Sequence, residues 1–225
     1  MNSVELDIKS LMSNNDPLHS DLLPYLENGV LGKQIRHPLV YQVPLWSNAI
    51  ANRIYEQKLK DLNKAINESN FVRFIFLHER PYRLEAFVEV MEKLSDDQYW
   101  KILGEVWTDT ENAWQNIRVW KKLFSSKRGQ RTSLMDEKEI EFYNKLGNQV
   151  TVYRGCQKGL NENGLSWTLS KQKAKFFANR FNKKGIVVKR IINKSEIVAV
   201  FLGRNEFEIM VNQKTEGKNA KLSLI

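Results

Sequence analysis

Gln149-Val150-Thr151-Val152-Tyr153-Arg154-Gly155 is where the chain changes character. Upstream, apolar residues recur at helical spacing. Here Val150, Val152 and Arg154 alternate with their neighbours, the two-residue period of a strand. The new pattern persists downstream. Residues 165–169 read as a second strand, and Ser170 is placed to cap a helix over 171–181 that ends near Lys184-Gly185. Residues 186–192 and 197–202 are β-branched runs, 206–211 alternate once more, and 222–225 read as an edge strand.

Before residue 149 the reading is helical. Ile50, Ile54, Leu62 and Ile66 fall at helical spacing within 46–67, and 83–94 is amphipathic again. Ser95 and Gln98 have the spacing of a capping box opening a helix over 99–107, and 136–146 form a short helix stopped by Gly147. Residues 71–78 fit a buried strand or a helix equally. Pro17, Pro24, Gly29, Gly32, Pro38 and Pro44 break any long helix between 14 and 45. Trp100, Trp107 and Trp114 recur every seven residues, with Trp120 just beyond. Such a stripe reads as core, with base stacking as the competing role. Residues 125–132, basic and containing Gly129, read as an exposed loop. The expected class is α+β: a mainly helical lobe over 1–148, then a β-rich part over 149–225.

Composition bounds the function. The 225 residues are 42% hydrophobic and 27% charged, an ordinary globular balance. No apolar run approaches the roughly 18 residues of a membrane span. No basic flank leads an apolar stretch at the start, so a cytoplasmic protein away from membranes is expected. One cysteine, Cys156, excludes an internal disulfide, and with three scattered histidines it builds no zinc spacing; no metal is expected. The net charge of +9 is unevenly spread: residues 151–225 carry 15 Lys+Arg against 5 Asp+Glu, whereas residues 1–150 are nearly balanced. That asymmetry suits an anionic partner, whether a polyphosphate, a nucleic acid or an acidic protein, or else a merely solvated basic face.

Three clusters in the β-rich part carry candidate chemistry. Arg154, at the end of the first strand, presents a fork of donors suited to phosphate, and Gly155 beside it leaves room for a ligand. In Ser166-Trp167-Thr168 the two hydroxyls share one strand face, and Trp167 reads as packing. Glu206 and Glu208, two of the few acids in a basic region, share a face of a strand read over 206–211. Neighbouring carboxylates separate their pKa values, which equips one to stay ionised while the other handles a proton. No histidine lies near Ser166 or Cys156 in the sequence, so a nucleophilic serine or thiol is disfavoured.

Arginine, then a Ser/Thr strand leading into a helix, then Glu-x-Glu: this order resembles the ADP-ribosyltransferase family, in its Arg-Ser-Glu branch. The resemblance covers residues 149–211. Tyr153-Arg154-Gly155 is similar to the family's first-strand arginine, Ser166-Trp167-Thr168 to its Ser-Thr-Ser element, and Glu206-Phe207-Glu208 to its Glu-x-Glu element. Ala174, Phe176 and Phe177 are similar to the small and aromatic residues of the helix after that strand.

The resemblance implies a split β-sheet that binds NAD in a cleft, behind a helical lobe. It implies that Arg154 holds an NAD phosphate or the nicotinamide-side ribose, and that Ser166 fixes Glu208 and that ribose. Glu208 then accepts from the ribose 2′-hydroxyl and stabilises an oxocarbenium-like transition state as nicotinamide leaves, while Glu206 orients or deprotonates the acceptor. Phe176, Phe177 or Trp167 stacks on nicotinamide. Two departures stand out: Trp167 replaces the middle threonine, and the substrate-recognition stretch at 202–205 is short.

In the family, Glu-x-Glu accompanies transfer to protein arginine. The basic catalytic third repels such an acceptor and attracts polyanions over a Debye length of about 8 Å. Size and expected location also resemble RNA-modifying toxins of phage-defence systems, held silent by an antitoxin. RNA is therefore the favoured acceptor and protein arginine the alternative. NAD hydrolysis by water and a non-catalytic basic nucleic-acid-binding protein complete the set.

Overall fold

A computed structural model describes residues 16–180, 185–203, 207–211 and 223–224. By contact the chain divides into two compact units, Met1–Ser95 and Asp96–Ile225.

In the first unit the glycines and prolines that forbid a long helix instead build a small antiparallel sheet, in the order β1 (Leu26–Gly29), β2 (Gly32–His37), β3 (Val40–Gln42). Gly29 faces Gly32 across the two-residue turn Val30-Leu31, and Gly32 has a φ of +105°, which favours glycine. Ile35 and Val40 of the sheet pack with Leu18, Leu22, Leu39, Ala51 and Tyr55. Three helices complete the unit: α1 (Asn48–Asn67), α2 (Phe71–Leu77) and α3 (Arg83–Val90). Ser47 caps α1 by accepting from Ile50 N, and Asn70 caps α2 by accepting from Arg73 N. Residues 71–77 are thus helix, and His78 follows as an extended C-cap.

The helical reading of the residues before 149 does not include this small sheet. The sheet escapes a periodicity reading because β2, Gly-Lys-Gln-Ile-Arg-His, carries one aliphatic residue among polar ones. Its burial comes from what packs on it.

The second unit begins well before residue 149. Before the sheet it holds the helices α4 (Asp96–Asp109), α5 (Ile117–Phe124) and α6 (Glu137–Lys145). Asp136 and Glu139 form a reciprocal capping box at the start of α6. Trp100, Trp107 and Trp120 are buried, while Trp114 is 60% exposed, so the tryptophan stripe is core except at one position. These helices share a core with the sheet. Val200 N donates to Met135 Sδ, and Leu202 N donates to Glu139 Oε1 at 2.8 Å. The pattern change at residue 149 thus marks a change of element inside one unit.

Six strands take the order β7-β8-β5-β4-β6-β9, all antiparallel: β4 (Gln149–Cys156), β5 (Ser166–Thr168), β6 (Ile186–Asn193), β7 (Ile197–Phe201), β8 (Glu208–Val211) and β9 (Ser223–Leu224). Helix α7 (Lys171–Asn179), capped by Ser170 accepting from Lys173 N, lies on β4. Its Ala174 and Ala178 pack with Val187 and Tyr153. The architecture is α+β, with helices and two antiparallel sheets. Among the described residues no helix is long and apolar enough to cross a membrane.

Candidate active site

Register brings the three motifs together. β8, β5 and β4 are adjacent, with Glu208 opposite Thr168 and Thr168 opposite Tyr153. Phe201 of β7 extends the same row past Glu208, and Lys189 of β6 extends it past Tyr153. Residues up to forty positions apart thereby sit side by side. Tyr153, Thr168, Phe201 and Glu208 of this row border a cleft of about 540 Å³ whose lining also includes Arg154, Ser166 and Phe177, together with Trp107 and Trp114 from the helical segment.

Arg154 is held on the protein's own backbone. Its Nε donates to Asn161 O at 2.6 Å and its Nη1 donates to Ser166 O. The guanidinium lies directly over Gly164, where a Cβ would come within 2.2 Å of it. Burial pulls the Arg154 pKa below the ordinary guanidinium value, and Cys156 and the Glu208 carboxylate oppose that shift. Arg154 therefore fastens the 157–165 segment to β5.

Gly155 borders the cleft, but its missing side chain serves packing. A Cβ there would lie 2.0 Å from Ala174 O and 2.5 Å from Ala178 N. The space expected for a ligand is filled by α7. Ser166 is half-buried, and its carbonyl accepts from Arg154. Thr168 is buried, and its Oγ1 accepts from Ser170 N at 3.1 Å, securing the strand-to-helix turn.

Among the aromatic candidates, Trp167 is 2% exposed and its indole N–H donates to Gly164 O, which makes it a wall of the cleft. Phe176 is exposed and lies outside the lining, whereas Phe177, half-buried, faces in.

Glu208 opens β8. Phe207 before it has a φ of +47°, so the extended run begins at Glu208. Glu206 itself lies outside the described residues.

Sequence reasoning missed the group that grips Glu208: Trp107 Nε1 donates to Glu208 Oε1 at 3.1 Å. Trp107 comes from α4 and packs edge-to-face on Trp120 and Phe124, with centroids 5.0 and 5.4 Å apart. The available signal was chemical. A buried indole N–H needs an acceptor, and a core tryptophan beside polar Thr108-Asp109-Thr110 points toward one.

Burial raises the Cys156 thiol pKa, with Arg154 opposing, so the neutral thiol is favoured over a nucleophilic thiolate. Among the described residues no group of three His, Cys, Asp or Glu is placed to hold a metal ion.

Chemically, the cleft lining offers two carboxylates, Glu208 held by a neutral N–H donor and Glu111, two guanidinium groups, Arg154 and Arg180, and an aromatic rim. Such a set suits a ligand that is anionic along its length and develops positive charge at one carbon. Comparison with protein-family models, with curated proteins and with solved structures gives no match.

Proposed function

We propose that this protein is an NAD-dependent mono-ADP-ribosyltransferase of the Arg-Ser-Glu type, acting on RNA. One observation carries the reading: Arg154, Ser166 and Glu208, from three separated motifs, border a single cleft. Its volume of about 540 Å³ lies within the roughly 300–1,000 Å³ usual for small-ligand sites.

NAD would supply an activated N-glycosidic bond. The bond from ribose C1′ to nicotinamide nitrogen breaks, and its electron pair leaves with nicotinamide. The acceptor forms the new bond to C1′ and gives up its proton. Glu208 accepts from the ribose 2′-hydroxyl and places negative charge where positive charge develops. Trp107 N–H keeps that carboxylate in one orientation before the reaction, so little reorganisation is needed at the barrier. Arg154, neutralised in part by Glu208, sets a positive potential for the pyrophosphate, and Phe177 offers the ring for nicotinamide. Glu206 is assigned the acceptor's proton through the family resemblance alone.

RNA is preferred because the second unit carries a net charge of +10. Glu-x-Glu favours protein arginine as the second reading. A toxin-type role in the cytoplasm, silenced by an antitoxin, goes with the RNA reading.

Labelled NAD incubated with cell extract, then digested with RNase or protease, tests both parts. The expected label is lost to RNase. Glu208→Gln should lower transfer about 10²–10³-fold while NAD binding persists, because loss of charge affects the transition state more than the ground state. A variant working at the parent rate removes Glu208 from the mechanism. Label lost only to protease transfers the assignment to protein arginine, and nicotinamide release without any labelled macromolecule marks a hydrolase.

A further inference from the structure

Resting on the RNA reading above, we infer that the outer face of α7 is the docking surface for a single-stranded stretch of the nucleic-acid acceptor, with Phe176 as its base-stacking platform. Around this helix the exposed residues are Lys171, Gln172, Lys175, Phe176, Asn179 and, just past its end, Arg180. At 100° per residue they occupy one continuous half-turn, and the opposite side carries the buried Ala174 and Ala178 that seat α7 on β4. The face therefore holds three cations, two amides, one aromatic ring and no carboxylate.

The surrounding chain has the same bias. Residues 163–195 contain nine Lys+Arg and not one Asp or Glu. A face built only for solubility needs no phenyl ring, yet Phe176 is 62% exposed and touches Phe177 edge-on, with centroids 5.5 Å apart.

The ring's place links it to the cleft. Phe177 lines the cleft from this helix and Arg180 from just past its end, and Phe176 lies on the side of the exposed face next to Arg180. A strand tracking Lys171 and Lys175 by its phosphates, with one base on Phe176, passes the cleft mouth at Arg180. Exposed cations flanking an exposed ring suit unpaired bases, whose faces are available for stacking, better than a duplex or a lipid surface. An acidic protein would use the lysines and leave the phenyl ring idle.

Fluorescence anisotropy with the full chain carrying Glu208→Gln tests this without any transfer, using a labelled 20-nucleotide single-stranded RNA and its duplex. Expected are preference for the single strand, a fall in affinity on raising salt, and about a tenfold loss with Phe176→Ala. Lys171→Glu with Lys175→Glu should weaken binding further. In the parent background, Phe176→Ala should leave acceptor-independent NAD cleavage unchanged while reducing labelling of RNA. Equal affinity for duplex and single strand, or Phe176→Ala binding as the Glu208→Gln reference does, overturns the docking surface. Loss of NAD cleavage in the parent protein itself would instead overturn the catalytic reading, and leaves the anisotropy result standing by itself.

Discussion

Glu208 is half-buried, lines the same cleft as a desolvated guanidinium, and takes a hydrogen bond from an indole that belongs to a helix a hundred residues earlier. Hydrogen bonds to charged groups are worth roughly 1.5–3 kcal/mol. Trp107→Phe keeps a ring against Trp120 and Phe124 but removes the N–H. Transfer should fall about tenfold or more, with NAD affinity changed by less than about twofold. Single-turnover kinetics beside calorimetric titration separate the two; a loss confined to NAD affinity would mean the indole binds ligand and does not position the carboxylate. Combined with Glu208→Ala, which leaves nothing to position, Trp107→Phe should have no further effect on transfer. Arg154, Ser166 and Glu208 were legible as residues because their types are rare in their setting: an arginine at a strand end, a hydroxyl before a helix cap, an acid amid lysines. Trp107 was legible only as core, since its partner is distant in sequence and burial alone accounts for the ring.

Among the elements, α7 and the sheet show the strongest mutual demand. Gly155 admits the α7 backbone to within what would be 2.0 Å of a Cβ, and no side-chain movement relieves a clash with main chain. Gly155→Ala should cost at least the roughly 1–3 kcal/mol of an overpacked core, seen as a lower urea midpoint. Gly203→Ala is the control. Among the described residues no atom beyond its chain neighbours lies within 4 Å of its Cβ position, so its midpoint should move little; equal effects at both sites would refute the packing argument. In the first unit, Tyr55 donates to Asp21 Oδ2 at 2.8 Å, and burial followed by that bond pushes its pKa up to about 12. The folded state then holds this proton more tightly than the unfolded chain, whose tyrosine titrates near 10. Stability from this pair is complete below about pH 10 and falls as pH rises toward 12. Tyr55→Phe should flatten that fall in a pH series of thermal melts; an unchanged alkaline slope would assign it elsewhere.

Over the whole molecule, charge and core divide the chain differently. All of the basic excess lies after residue 150, yet the compact unit that contains it starts at Asp96. Phosphate contacts release counterions, so RNA labelling should fall steeply between 50 and 200 mM salt, by roughly 0.7 log units per log unit of salt for each contact. NAD cleavage without acceptor should change little over the same range. Parallel salt dependence of the two rates would place the basic charge in NAD binding.

Strand order along the chain, the helix between β5 and β6, and the candidate trio could all be read from residue types and period, because alternation and capping are local properties. Three things were decided only in three dimensions. The first unit's sheet forms from strands too short and polar to show a period. Gly155 serves helix packing, since only the folded chain shows what stands over it. Glu208 depends on an indole from α4, because hydrogen-bond partners are chosen by which surfaces meet, and that choice belongs to the core as a whole.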